Sequence, residues 1–81
     1  MRQELTAKEL YQMAQDYEGL LTQTAIELAD HDEEQAKFVL RKLVIQRIAM
    51  NFLKTIPMDK VLHDGTGYTK EYGTYMTILN A

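Results

Sequence analysis

The sequence predicts a mainly α protein: an antiparallel hairpin of two long helices, then a short third helix and an extended or hairpin segment at the C-terminus. Three observations predict it. Apolar residues recur at three- and four-residue steps through most of residues 6–56, two helix-capping signals precede these runs, and only a few residues separate the runs. We interpret residues 1–81 as a single helical domain that forms a dimeric helical bundle.

The first helix is predicted over about residues 6–29. Thr6 is suited to cap its first turn, and Glu9, three residues later, completes a capping box. One apolar stripe then follows over about six turns, and we expect it to form the buried face of the helix. Its members are Leu10, Met13, Ala14, Tyr17, Leu21, Thr24, Ala25 and Leu28.

The second helix is predicted over about residues 33–55, with Asp32 as its N-cap and Gln35 at the capping-box position. Because the link between the helices is only a few residues long, the two helices should pack as antiparallel neighbours. The acidic residues of the link, Asp30, Asp32 and Glu34, flank His31 and suggest a metal site. However, a calcium loop needs glycine and glutamate where Gln35 and Arg41 stand, so we assign the acids to capping and solvation.

The second helix carries apolar residues on two sides. One stripe contains Ala36, Val39, Leu40, Leu43 and Met50, and the other contains Phe38, Ile45, Ile48, Ala49, Phe52, Leu53 and Ile56. The first helix can cover only one of them. We therefore predict that the second stripe mediates self-association, with two hairpins forming a four-helix bundle. The alternative is that the C-terminal segment folds back over it.

A short helix is predicted over about residues 57–63, since Pro57 suits the first position of a helix. The segment 66–81 that follows is rich in glycine, threonine and tyrosine. It lacks the glycine spacing of a phosphate-binding loop. A helical period is present but Gly73 interrupts it, and we predict an extended or hairpin conformation with a turn near that glycine. The tyrosines would provide partner contacts: Tyr68, Tyr72 and Tyr75.

Charge is divided unevenly along the chain, although the net charge is only −3. Residues 1–36 contain nine acids, whereas residues 37–54 contain five cations and no acid. Either the two helices neutralise each other, or the basic helix faces an anionic partner. Nucleic-acid binding through Arg47, Asn51 and Lys54 is the alternative function that we keep. With a C-terminal hairpin, the outline would resemble a winged helix.

The composition gives little support for catalysis. The chain has no cysteine and no serine, and its two histidines are not placed beside a nucleophile. We predict no enzyme activity and no cofactor. The expected function is protein–protein interaction of a regulatory, adaptor or inhibitor type, by a homodimer that also has the means to contact a different protein. Without a signal-peptide core or an apolar run that could span a bilayer, we expect a cytoplasmic protein with no membrane role.

Overall fold

The structure, a computed structural model, describes residues 4–81; residues 1–3 of the predicted domain lie outside the described residues. It is mainly helical with one small two-stranded sheet. The elements in chain order are β1 (Leu5–Thr6), α1 (Ala7–Ala29), α2 (Glu33–Leu53), β2 (Val61–His63) and α3 (Lys70–Leu79). The two long helices confirm the predicted pair. None of the described helices is both long and apolar enough to cross a bilayer.

The two predicted capping signals are confirmed. The Thr6 hydroxyl accepts the Glu9 N–H at 3.2 Å, and the Glu9 carboxylate accepts the Thr6 N–H at 3.1 Å, which is a complete capping box. At the start of α2, the Asp32 carboxylate accepts the Gln35 N–H at 3.1 Å. These bonds satisfy backbone donors that a helix leaves unpaired at its N-terminus. The two helix starts are therefore encoded by local sequence.

The apolar stripe of α1 is only partly buried. Leu10, Ala14, Leu21 and Ala25 are buried, but Met13 and Tyr17 are 57% and 47% exposed. A helix that packs against a single neighbour can bury only a narrow strip of its surface. The side chains at the edge of the stripe are therefore left in solvent along one side of the helix pair.

The predicted short helix over residues 57–63 is wrong. The chain instead turns after α2 and forms β2, which pairs antiparallel with β1, with Leu5 opposite His63. The Ala7 N–H, at the first position of α1, also donates to the Lys60 carbonyl at 2.9 Å. This segment thus satisfies backbone groups at the other end of the chain. Pairing of that kind is absent from the local signals on which the helix prediction was based.

The predicted extended or hairpin conformation of segment 66–81 is also wrong for its greater part, because residues Lys70–Leu79 form α3. Thr69 caps this helix by accepting the Tyr72 N–H at 3.3 Å. Gly73 lies inside the helix, and the Tyr68 ring packs over it. A Cβ at that position would be 3.4 Å from Tyr68 Cε2. The glycine is therefore part of a helix in contact with a ring, and it does not mark a turn.

The main core lies at one end of the molecule, where the start of α1, the end of α2, β2 and α3 meet. Its buried residues are Ala7, Leu10, Ala49, Leu53, Ile56, Leu62 and Tyr75. A second, smaller cluster of Leu21, Ala25 and Val39 lies between α1 and α2 toward the connection of the two helices. The molecule measures 44 × 23 × 20 Å. Residues 17–29 and 33–45 thus form a two-helix arm that extends from a three-helix base.

Candidate protein-interaction surface

The seven residues predicted to mediate self-association separate into two groups in the structure. Ala49, Leu53 and Ile56 are buried in the main core of their own chain, and Phe52 packs partly buried against it. The base of the molecule, including α3 and β2, therefore covers the C-terminal half of the second stripe. Phe38 and Ile48 are each 53% exposed, and Ile45 is partly buried. For these three the prediction of a contact between chains stays a prediction.

An open apolar groove of about 610 Å³ runs between the three helices. It is lined by side chains from each of them, principally Met13 and Tyr17 of α1, Phe38 and Ile45 of α2, and Met76 and Leu79 of α3. Of the α2 residues, Phe38 is 53% exposed and Ile45 is partly buried. The side chains that line this groove are those that the packing of the three helices leaves uncovered. Its size is in the range that proteins use to bind small molecules or the side chains of a partner.

Cations line the α2 side of this apolar groove. Arg41 and Lys42 contribute to its lining, and the Lys42 ammonium lies 5.0 Å from the centre of the Phe38 ring. That distance permits a cation–π contact, which is worth about 0.5–1 kcal/mol at an exposed site. The α1 side contributes no charged residue to the lining. The two walls of the groove therefore differ in charge.

A buried polar side chain closes the floor of the apolar groove. Gln46 is 3% exposed, and its amide nitrogen contacts the Ala14 carbonyl oxygen and the Tyr75 hydroxyl. It thus connects all three helices at one point. Gln46 is absent from the residues predicted to form a site. The sequence does carry a signal for it, because Gln46 falls at helical spacing between Leu43 and Met50 of an apolar stripe.

The three tyrosines predicted to contact a partner have different environments. Tyr75 is 3% exposed and belongs to the core, where burial raises the pKa of its hydroxyl. Tyr72 is partly buried, with its ring 5.5 Å from the His63 ring and 5.7 Å from the Tyr68 ring. Tyr68 is 69% exposed. The helical conformation of the segment turns the other two inward, and Tyr68 remains accessible to a partner.

The glycine-rich turn that precedes α3 binds a carboxylate of its own chain. Asp64 Oδ1 accepts hydrogen bonds from the Thr66 hydroxyl at 2.7 Å and from the Thr66 and Gly67 N–H groups at 2.9 and 3.0 Å. These donors, with the Thr66 hydroxyl as the largest contribution, lower the pKa of Asp64 to about 2. The donors that a phosphate would need are therefore occupied within the turn.

A second groove of about 980 Å³, which we call the polar groove, lies on the opposite side of the helix pair. It contains the three residues of the nucleic-acid alternative: Arg47, Asn51 and Lys54. The Arg47 Nε atom is 3.4 Å from a Glu18 carboxylate oxygen, and the Lys54 ammonium is 6.0 Å from the centre of the Tyr11 ring. Glu27 also lines this groove. Acids therefore accompany the cations where phosphates would have to bind.

The acidic link between α1 and α2 performs a capping role through Asp32. Among residues 4–81, no group of three or more acids and histidines is placed to hold a metal ion. Comparisons of the chain with protein-family models, curated proteins and solved structures find no match.

Proposed function

We propose that this chain works by binding protein and without catalysis, as a regulator, adaptor or inhibitor that self-associates through α2. The observation that carries the proposal is the apolar groove, in which Met13, Tyr17 and Phe38 are about half exposed side by side. Large apolar side chains grouped in this way mark contact sites on soluble proteins. A groove formed by helix sides fits the helices of a partner.

A second copy of the chain would cover the open side of the two-helix arm. Two helices bury only the strip between them, and stable helical bundles add a second pair of helices across the open side. Each copy offers the same apolar walls, as a two-fold contact requires. One long face of a molecule of 44 × 23 Å offers roughly 1,000 Å², compared with about 800 Å² per partner in a standard interface.

The charges of the helices are compatible with this pairing. After Lys8, α1 contains only acids among its charged residues, whereas α2 contains only cations from residue 37 onward. If α1 of one copy faces α2 of the other, Arg41 and Lys42 approach a groove wall that carries no charge, whereas Glu18 and Glu27 of α1 line the polar groove. This orientation keeps the cations of the two copies apart, and like-charge contacts would disfavour association.

The test is the molar mass in solution, measured by light scattering over a concentration series. We expect the wild type to form a dimer and Phe38→Asp to shift it to monomer, because the charge would be buried in an apolar contact. Phe38 is 53% exposed within one chain, so this variant should keep its fold by circular dichroism.

The matched control is Ile26→Asp, which changes an equally apolar, 68% exposed side chain that lines the polar groove. It should keep the dimer. A monomeric wild type at all concentrations, or a Phe38→Asp variant that keeps the wild-type mass, would contradict self-association through the apolar groove.

A further inference from the structure

A second apolar surface lies on α2, outside the apolar groove. Leu40, Val44 and Ile48 recur every four residues and are 49%, 59% and 53% exposed. Helical spacing places them on one continuous ridge that covers about 12 Å along the helix axis. We call these three residues the outer stripe. None of them lines the apolar groove.

The outer stripe is surrounded by positive charge. Arg41 precedes Val44 by three residues and Arg47 follows it by three, so the two arginines lie on either side of the stripe. Arg47 Nε is also 3.4 Å from a Glu18 carboxylate oxygen, but the Arg47 side chain is 67% exposed. Lys37 lies one turn before Leu40. Its ammonium is 3.6 Å from Glu33, but this pair is largely exposed and therefore weak. A partner that binds the outer stripe would therefore contact an apolar centre bordered by cations.

The basic border argues against a second copy of this chain as the occupant. If two outer stripes paired around a two-fold axis, the cations of each copy would approach their own images. Like charges placed against each other in an interface disfavour association strongly. Self-association is better served by the apolar groove, because Arg41 and Lys42 line only its α2 side and can face the uncharged α1 side of a second copy.

The chemistry of the stripe also distinguishes between anionic partners. Leucine, valine and isoleucine offer no hydrogen bonds to nucleic-acid bases, and they occupy the centre of the surface, where contacts to bases would have to form. A membrane-surface helix has a long apolar face with aromatic anchors, whereas this ridge has three aliphatic residues. A partner helix with an apolar ridge and acidic flanks would pack its apolar residues against the outer stripe and place its acids beside the bordering cations.

From this arrangement we infer that the outer stripe of α2 binds an acidic amphipathic helix of another protein. A ridge with four-residue spacing packs into the equivalent groove of a partner helix at an interhelical angle of about −50°. The partner helix therefore crosses α2 instead of running along it. Its acids then meet Arg41 and Arg47 on opposite sides of the crossing point.

The probe for the test is a synthetic peptide of about 18 residues, a length that can form a helix on binding. Leucines recur at three- and four-residue steps, and glutamates flank them. The control peptide has lysine in place of each glutamate. We expect the acidic peptide to bind the full chain at least about tenfold more tightly than the lysine peptide, by fluorescence anisotropy, with an affinity that falls as salt is added.

Two variants locate the site. Val44→Asp should weaken binding of the acidic peptide by at least about tenfold. Leu20→Asp should leave it unchanged, because Leu20 is 62% exposed but lies on α1. Both variants should keep the wild-type melting temperature and molar mass.

Three results would overturn the inference: equal affinity for both peptides, unchanged binding to Val44→Asp, or a Val44→Asp variant that loses the dimer. The first would show that charge does not select the partner, and the last would show that a second copy occupies the stripe. Vesicles of anionic phospholipid provide a further comparison. If wild type binds vesicles but not the acidic peptide, and Val44→Asp binds neither, the stripe is a membrane surface.

Discussion

The Gln46 amide nitrogen lies 3.5 Å from the Tyr75 hydroxyl oxygen, and these two residues connect α2 to α3 inside the base of the molecule. The same nitrogen donates to the Ala14 carbonyl oxygen of α1 at 3.4 Å. No buried side-chain nitrogen or oxygen among residues 4–81 lacks a hydrogen-bond partner. The contact therefore satisfies both side chains while it fixes the relative position of three helices.

Removing one partner of this contact should destabilise the protein. We expect Gln46→Leu, which keeps a similar volume, to lower the free energy of unfolding by about 1–3 kcal/mol, because the Tyr75 hydroxyl loses its partner in the core. Urea denaturation measures the change. Gln12→Leu on the exposed face of α1 is the control, with an expected change within about 0.5 kcal/mol. Equal stability of the two variants would show that the buried contact contributes nothing.

Strand β2 should contribute to stability mainly through Leu62, which is fully buried. Leu62→Ala should lower the free energy of unfolding by about 2–5 kcal/mol, through lost burial and the cavity that remains. The neighbouring Val61 is 36% exposed, and Val61→Ala should cost much less. Denaturant unfolding of both variants tests this. If the two cost the same, the side chain of Leu62 is not part of the core.

Two glycines should respond to alanine with opposite signs. Gly65 has a φ of 89°, which alanine adopts only with strain, so Gly65→Ala should destabilise the protein by about 1 kcal/mol or more. Gly19 lies inside α1, and a Cβ there would meet nothing within 4 Å. Gly19→Ala should stabilise the protein by about 0.5–1 kcal/mol. Thermal melting compares the two, and a shift of the same sign in both would contradict these roles.

Acid should weaken the turn before α3 in a defined pH range. The pKa of Asp64 is lowered from its ordinary value of 3.8 to about 2, so the native state favours the carboxylate. Its contribution is present above pH 3.8 and is lost as the pH falls toward 2. Wild type should therefore lose more stability over this range than Asp64→Asn does. Parallel pH dependence in urea titrations of the two proteins would argue against this role.

The helix starts could be predicted from sequence because their signals are local. Thr6 with Glu9, and Asp32 with Gln35, each satisfy backbone groups within one turn. The start of α3 has a comparable signal in Thr69, but Gly73 and the strand-forming residues after it favour a hairpin when propensity alone is considered. Gly73 nevertheless lies inside α3, where it contacts the Tyr68 ring, and propensity carries no information about that contact.

The candidate site could be predicted in part. The two-sided apolar pattern of α2 correctly implied that α1 alone could not cover it. The positions of β2 and α3 determine which residues of α2 stay exposed to solvent. Those positions are set by contacts between distant parts of the chain, which a local pattern does not reveal. Leu53 is therefore buried in its own core while Phe38 of the same stripe is exposed. The spacing of Leu40, Val44 and Ile48 was present in the sequence, but their exposure was not.

The pairing of Leu5 with His63 sets an order of events during folding. The α1–α2 hairpin forms contacts between segments joined by a short link, so little chain entropy is lost when its helices meet. β1 and β2 join residues that are far apart in the sequence, and closing so large a loop is slow until something holds its ends close together. We expect the hairpin to assemble first and to bring the two strands together. Changes to β2 should then mainly accelerate unfolding, whereas changes between α1 and α2 should slow folding.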